Sequence, residues 1–324
     1  MTNRILIWLV AVFFLTTVSF AEAQQPAKLR RIGYLAAAKG PSPYFEAFRQ
    51  GLRDLGYGEG QNLAIVFRAS EDLNQIAALA AELVQQKVEV LVAQGPAAVR
   101  AARLATTSIP VVFGTSGDPV EAGFVESLAR PGGNLTGMSF LALELAAKRL
   151  ELLKEITPKI SRVAILTNRT HPGEQSEFKE TQAAAQALKI SLSAHPVTSG
   201  AEFNGAYEAI LKERAQALLT FPDAVTVAHR DSLAEFALKR RLPTMFGWNQ
   251  YVEAGGLASY GPNLSDAYRR LAVYVDKILK GTKPADLPVE RPHKFEFVIN
   301  LKTANQIGLT IPPNVLVRAN RVIR

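Results

Sequence analysis

GTSGDPVEAGFVESLARPGGNLTG, residues 114–137, is the stretch on which the fold turns. The apolar run IPVVF at 109–113 precedes it and reads as a buried strand. Its first residues, from Gly114 through Thr115 and Ser116 to Asp118, are small or polar. A loop of that kind after a parallel strand is where α/β proteins place ligand contacts. The middle, 120–129, has apolar periodicity and reads as a helix. Arg130-Pro131-Gly132-Gly133 then makes a turn, and 134–140 behind it is strand-like. The stretch thus begins as a candidate site, and at 137–140 the chain can leave one lobe for another.

Upstream, strands are expected at 32–37, 62–68, 88–93 and 109–113, with helices at 44–55, 74–86 and 97–105 between them. Pro96 stands at the start of the third helix, where a missing N–H costs nothing. This alternation implies βαβ units and a parallel sheet covered on both faces. Downstream the alternation starts again. Helices are expected at 143–156, 175–188, 202–213 and 224–240, and strands at 162–166, 190–194, 217–221, 243–246 and 256–260. On the first of these helices Lys148, Arg149 and Lys154 are expected to face outward. A clear amphipathic helix follows at 264–279, with Leu264, Tyr268, Leu271, Val275 and Ile278 on one face. The segment 294–300 alternates like a strand, and 301–307 reads as helical. A chain of 324 residues is long for one hydrophobic core. The expected fold class is therefore α/β, two lobes in series, each a doubly wound parallel sheet.

Composition narrows the setting. The chain is 48% apolar and 20% charged, as globular proteins are. Arg4, the run ILIWLVAVFFLTTVSF at 5–20, and Ala21-Glu22-Ala23 read as a secretory signal cleaved after Ala23. No cysteine is present, which rules out disulfides, thiolate catalysis, cysteine-held metals and a lipid anchor on an N-terminal cysteine. The expected location is the periplasm. The net charge of +8 comes from scattered Lys and Arg, and with an export signal it does not point to nucleic acid.

Motifs for catalysis and phosphate binding are absent. No GxxxxGK[ST] occurs, and the glycines at 56–60 follow a helix and not a strand. Gly114-Thr115-Ser116-Gly117 lacks the spacing of a nucleophile elbow. His171, His195, His229 and His293 never fall at metal-ligand spacing and are expected at the surface. No cofactor or metal is called for. What remains is a set of loops at strand carboxyl ends: Ser42 and Tyr44 after the first strand, Gln94 and Gly95 after the third, Thr115, Ser116 and Asp118 after the fourth. In the second half the matching residues are Asn168, Asp223 and Trp248. Together they suit a small polar organic ligand, with aspartates for a cationic end and aromatics for an apolar body. Each has a plainer reading as well. Asp118 and Asp223 are equally good helix N-caps, Tyr44 and Trp248 equally good packing residues, and Thr115 and Ser116 can satisfy turn backbone.

The segment 118–137, DPVEAGFVESLARPGGNLTG, resembles the signature of one family of ABC-transporter substrate-binding proteins, the group related to tryptophan/tyrosine-uptake binding proteins. RIGYL at 31–35, IPVVF at 109–113, ILKG at 278–281, FVINLKTA at 297–304 and GLTIP at 308–312 are similar too, so the resemblance spans essentially the whole mature chain. It implies a periplasmic-binding fold of type I with three interlobe crossings, a ligand between the lobes and permease subunits as partners. By that pattern the first lobe is 30–140 plus 264–285, and the second is 141–261 plus 288–324. The departure is the ligand shell: Phe221-Pro222-Asp223 and Gly247-Trp248-Asn249 give no clear match to an aromatic-amino-acid site, so the resemblance leaves open an amino acid or another aromatic or carboxylate solute. Two other classes of function remain: a periplasmic sensor that signals to a membrane receptor, and an exported α/β enzyme.

Overall fold

The structure, a computed structural model, describes residues 29–141 and 143–324. The signal expected at 1–23 lies outside the described residues. The first half runs β1 (Arg30–Ala36), α1 (Pro43–Asp54), β2 (Leu63–Ala69), α2 (Leu73–Gln85), β3 (Val90–Gln94), α3 (Pro96–Ala105), β4 (Val111–Thr115) and β5 (Leu135–Ser139). Its strands form one sheet in the order β2-β1-β3-β4-β5, and every neighbouring pair is parallel. Central strands of such a sheet are covered on both faces and read as unbroken apolar runs. β4 is accordingly buried along its whole length, and so is the edge strand β5, because residues 287–290 run beside it.

The second half runs α4 (Glu144–Ile156), β6 (Arg162–Thr167), α5 (Glu174–Ala187), β7 (Ser191–Pro196), α6 (Phe203–Lys212), β8 (Ala217–Thr220), α7 (Ala224–Ala228), α8 (Arg230–Lys239), β9 (Thr244–Phe246), α9 (Asn249–Glu253) and β10 (Ala258–Pro262). It is completed by α10 (Leu264–Leu279), β11 (Phe295–Asn300), α11 (Leu301–Gln306), α12 (Pro313–Leu316) and β12 (Arg321–Ile323). The second sheet has the order β12-β11-β10-β9-β8-β6-β7. One pair in it, β10 with β11, is antiparallel. The cause is the route of the chain. β10 ends at Pro262 opposite Phe295, where β11 re-enters from the other lobe and runs back along it.

Three connections join the two bodies. The first lies between β5 and α4. The second lies between β10 and α10, which leaves the second sheet and packs against α1 of the first, with Tyr268 stacked on Tyr44 at 5.3 Å. The sequence dictates this helix. Asn263 caps it by accepting from the Asp266 N–H, Lys277 sits in its last turn, and Leu264, Tyr268, Leu271, Val275 and Ile278 recur three or four apart on the buried face. Each buried side chain of that size contributes about 1.5–3 kcal/mol. The third connection follows residues 287–290, which run beside β5. There Thr136 Oγ1 donates to Leu287 O at 2.6 Å, and the N–H groups of Glu290 and Ser139 donate to Gly137 O and Glu290 O, both at 3.0 Å. This is the two-lobed, three-connection α/β fold expected from the sequence. No helix among the described residues is long and apolar enough to cross a membrane.

Several expectations are corrected. Residues 120–129 form a turn-rich loop, not a helix. Gly123 adopts φ 68° and breaks the ladder, and the Pro119 carbonyl accepts from Phe124 and Val125 in its place. The periodicity there belongs to a packed loop, with Phe124 and Val125 buried in the first lobe's core. The helix expected at 224–240 is two, α7 and α8, broken at His229, whose Nδ1–H donates to Val225 O. The short α9 was not expected. Arg149 does not face outward: it is 1% exposed. His171 and His195 are buried, against the expectation of surface histidines.

Candidate functional site

The carboxyl ends of β1, β3 and β4 meet those of β6, β8 and β9 across a seam between the sheets. Three hydrogen-bonded contacts define it. Ser116 Oγ lies 2.8 Å from His171 Nε2, the Asp118 N–H donates to Pro172 O at 3.2 Å, and Gln250 Nε2 donates to Tyr44 OH at 2.6 Å. In each, the first residue belongs to one sheet's loops and the second to the other's, so the seam closes only when both bodies are in place.

On the first side the loops are largely occupied with their own geometry. Ser42 caps α1 by accepting from the Phe45 N–H. Gln94 accepts from Tyr34 OH at 2.8 Å, and Gly95, at φ 86°, passes its N–H to Gly114 O. Thr115 is buried and accepts from the Gly117 N–H. Asp118 is half-buried, and one oxygen accepts from both the Val120 and Glu121 N–H groups. Of the sequence candidates on this side, Tyr44 and Ser116 present side chains to the other lobe, while Ser42, Gln94, Thr115 and the Asp118 carboxylate build the turns. Burial raises the Tyr44 phenol well above its ordinary range, so it stays neutral.

The second side differs. Asn168 Oδ1 accepts from both Thr170 N–H and Oγ1, and its carbonyl accepts from the His171 N–H. Asn168 therefore shapes the loop that delivers His171. Asp223 is buried and caps α7 with one oxygen, accepting from the Val225 N–H at 2.7 Å; its other oxygen takes no hydrogen bond among the described residues. Trp248 is 9% exposed and stands at the head of α9; its Nε1 has no partner among the described residues.

Sequence reasoning missed the residues that hold this side in place. Arg149 projects from α4 beneath the loops. Its NH1 donates to Glu177 Oε1 at 2.6 Å and its Nε to Tyr260 O at 2.9 Å. A Cβ on Gly247 would come within 3.2 Å of its guanidinium carbon and 2.2 Å of the Pro222 ring, so the loops bearing Asp223 and Trp248 pack directly over it. Glu174, Glu177 and Asp223 are all buried, and of these Glu177 is the partner of the Arg149 guanidinium. Burial pushes the Glu177 carboxyl up, with Arg149 pulling the other way. Burial likewise holds the His171 imidazole below its ordinary value, against the opposing pull of Asp223 and Glu121. Gln250 was missed because its helix was. A signal for Arg149 did exist: Glu174 and Glu177 on α5 and Arg149 on α4 are a charge complement, but nothing local ties them together.

The Ser116–His171 spacing is that of a base-activated hydroxyl. No carboxylate hydrogen-bonds the other ring nitrogen among the described residues. No cluster of three or more His, Cys, Asp or Glu that could hold a metal occurs among them either.

A sequence model of the family described as ABC transporter substrate binding protein matches residues 39–323. The chain is 26% identical over 266 residues to the tyrosine-binding protein of Clostridioides difficile (strain R20291), across 82% of this chain and 76% of that one. It is similar in structure to an ABC domain from Streptococcus pneumonia in complex with L-Trp: 28% identity, TM-score 0.84, covering 91% of this chain and 99% of the other. A conserved domain protein of Vibrio cholerae gives 28% identity and a TM-score of 0.83, with 91% and 100% coverage.

Proposed function

Because this chain belongs to the family of ABC transporter substrate-binding proteins, we propose that it is the solute-capturing component of an importer, exported to the periplasm and catalysing nothing. Its lobes are 30–140 with 264–285 and 141–261 with 288–324. They close on a small solute where their strand ends meet, and the closed form is handed to the permease subunits. A ligand shifts such an equilibrium only through contacts it makes in the closed form and not in the open one. The observation that carries the reading is the seam itself, built of the pairs Ser116–His171 and Tyr44–Gln250 from loops of opposite sheets.

The solute is an amino acid with an aromatic side chain. Three things support this. The buried Asp223 carboxylate, with one oxygen that takes no hydrogen bond among the described residues, suits an ammonium group, Tyr44 and Trp248 offer faces for an aromatic body, and relatives of this chain carry tyrosine and L-Trp in their names. Tyr44, Ser116, His171, Asp223 and Trp248 are the contact residues. Ser42, Gln94, Gly95, Thr115, Asp118 and Asn168 place them.

Calorimetry of the mature chain with L-tryptophan, L-tyrosine, L-phenylalanine and benzoate tests the reading. One aromatic amino acid should bind and benzoate should not. A co-purified ligand of another class, identified by mass after denaturation, would overturn the ligand assignment. Turnover of the bound compound would move the chain among the enzymes, with Ser116 and His171 the first suspects.

A further inference from the structure

Two buried polar atoms at the head of α9 have no hydrogen-bond partner among the described residues: Trp248 Nε1 and Gln250 Oε1. An indole N–H can only donate, and an amide oxygen can only accept. Buried groups of either kind are almost always paired, and leaving one unpaired is strongly unfavourable. Both residues sit at the seam. Gln250 spends its other amide atom on Tyr44 OH of the opposite lobe, and Trp248 belongs to the same buried cluster as Tyr44, Phe140 and Tyr268. Thr220 Oγ1 and Ser259 Oγ are also unpaired and lie level with Phe246, at the carboxyl ends of β8 and β9, but each is a hydroxyl that can rotate to donate or accept, whereas the indole N–H and the amide oxygen have one fixed role each.

The pair therefore has two states. With the lobes apart, water can reach a donor and an acceptor lying two residues apart. With the lobes closed on nothing, both are buried unpaired. With the lobes closed on a ligand that brings an acceptor to the indole and a donor to the amide, both are satisfied. We propose that Trp248 and Gln250 are the specificity-determining pair of the cleft, reading the carboxylate and the ammonium of an α-amino acid, and that the same pair disfavours closure of the empty protein. The inference rests on the cleft being the ligand site, and it adds which groups of the ligand are read and why the empty protein opens.

Two measurements test it. The chain has no cysteine, so Lys39→Cys with Arg169→Cys places a label pair on exposed loops of opposite lobes without background. In ligand-free protein, Trp248→Phe should shift the interlabel distances towards the closed form; Gln250→Leu also removes the cross-lobe bond to Tyr44, so it is read only in the second measurement. Unchanged distances in Trp248→Phe would overturn the proposal without any reference to ligand identity. In the second measurement, calorimetry compares L-tryptophan with tryptamine, which lacks the carboxylate, and with indole-3-propionate, which lacks the ammonium. Trp248→Phe should reduce the preference over tryptamine about tenfold, and Gln250→Leu the preference over indole-3-propionate by a similar factor. Equal weakening for all three probes would mean that the residues only pack, and would overturn the specificity role. If the parent protein bound none of the three, the aromatic amino acid reading would fall, while the label distances would still judge the effect on empty closure.

Discussion

The two edges of the seam are built from similar parts and do different things. On the first lobe's edge the polar groups are spent locally: Ser42 and Asp118 cap turns, Gln94 holds Tyr34, and Thr115 holds Gly117. On the second edge they are held in reserve. Trp248 Nε1 is unpaired, one oxygen of Asp223 takes no hydrogen bond among the described residues, and a buried ion pair, Arg149–Glu177, lies underneath. An edge whose polar groups are already satisfied can shape a cleft but adds little to discrimination. An edge with unspent groups gains from whatever ligand satisfies them. The first edge would then be mainly frame, with Tyr44 and Ser116 as its contacts, and the second edge the reader.

The hardest blow to that contrast is at Arg149. Its side chain is 1% exposed and its partner Glu177 3%, so Arg149→Met leaves a carboxylate buried without its cation. Such a change destabilises by about 3–5 kcal/mol, a drop of roughly 6–20 °C in melting temperature by calorimetry. Removing Glu177 as well, with Arg149→Met and Glu177→Leu together, should recover most of the loss, because the cost is the stranded charge more than the lost attraction. If the double variant were as unstable as the single one, the pair would not be what supports the second edge.

Next in size is the comparison of the two aspartates. Each caps a turn, so Asp118→Ala and Asp223→Ala should each cost about 1 kcal/mol of stability. Each also has an oxygen that takes no hydrogen bond among the described residues, but Asp223 is buried and Asp118 half-buried, so a ligand would gain more from pairing the first. Asp223→Ala should weaken L-tryptophan binding by about tenfold or more, and Asp118→Ala by about threefold or less. Equal losses would erase the distinction between frame and reader.

These contrasts show what was legible in the sequence and what was not. The helix at 264–279 was read with its final boundaries, because Asn263 and an unbroken apolar stripe state them locally. The carboxyl-end loops were equally legible as loops. Arg149 was not, because a helical pattern assigns a charge to the solvent face; what buries it is Glu177, 28 residues on, and Tyr260, 111 residues on. Residues 120–129 misled for a related reason. Phe124 and Val125 recur like a helix face, while one left-handed glycine decides the backbone. His171 read as a bland surface residue because its partner, Ser116, comes from the other lobe. Local signals fix the elements, and the side chains that join elements are fixed by pairings the chain does not announce.

His171 offers a smaller effect, with a definite sign. Its folded imidazole is held below the ordinary value near 6.5, so the folded protein resists taking up a proton that the unfolded chain accepts. Its contribution to stability is complete above about pH 6.5 and is lost as pH falls through the depressed value. Glu177, held above its ordinary range, acts in the opposite sense, so the effect is read as a difference. Between pH 7.5 and 5, urea unfolding should weaken the parent more than His171→Gln. Parallel losses in the two would show that the seam histidine does not titrate with folding.

The smallest expected effect probes the frame. Ser42 accepts the Phe45 N–H at the start of α1, and Ser42→Ala should cost about 0.5–2 kcal/mol in urea unfolding. α1 also carries Tyr44, whose ring stacks on Tyr268 and whose hydroxyl accepts from Gln250. If the first edge is only a frame, the loss should appear in stability alone, because the stacking still fixes Tyr44 when the cap is gone. L-tryptophan affinity should then stay within about twofold of the parent value, less than half a kcal/mol. A larger drop in affinity than in stability would mean that the first edge reads the ligand too, through the angle at which α1 presents Tyr44. The division of labour between the lobes would then be one of degree.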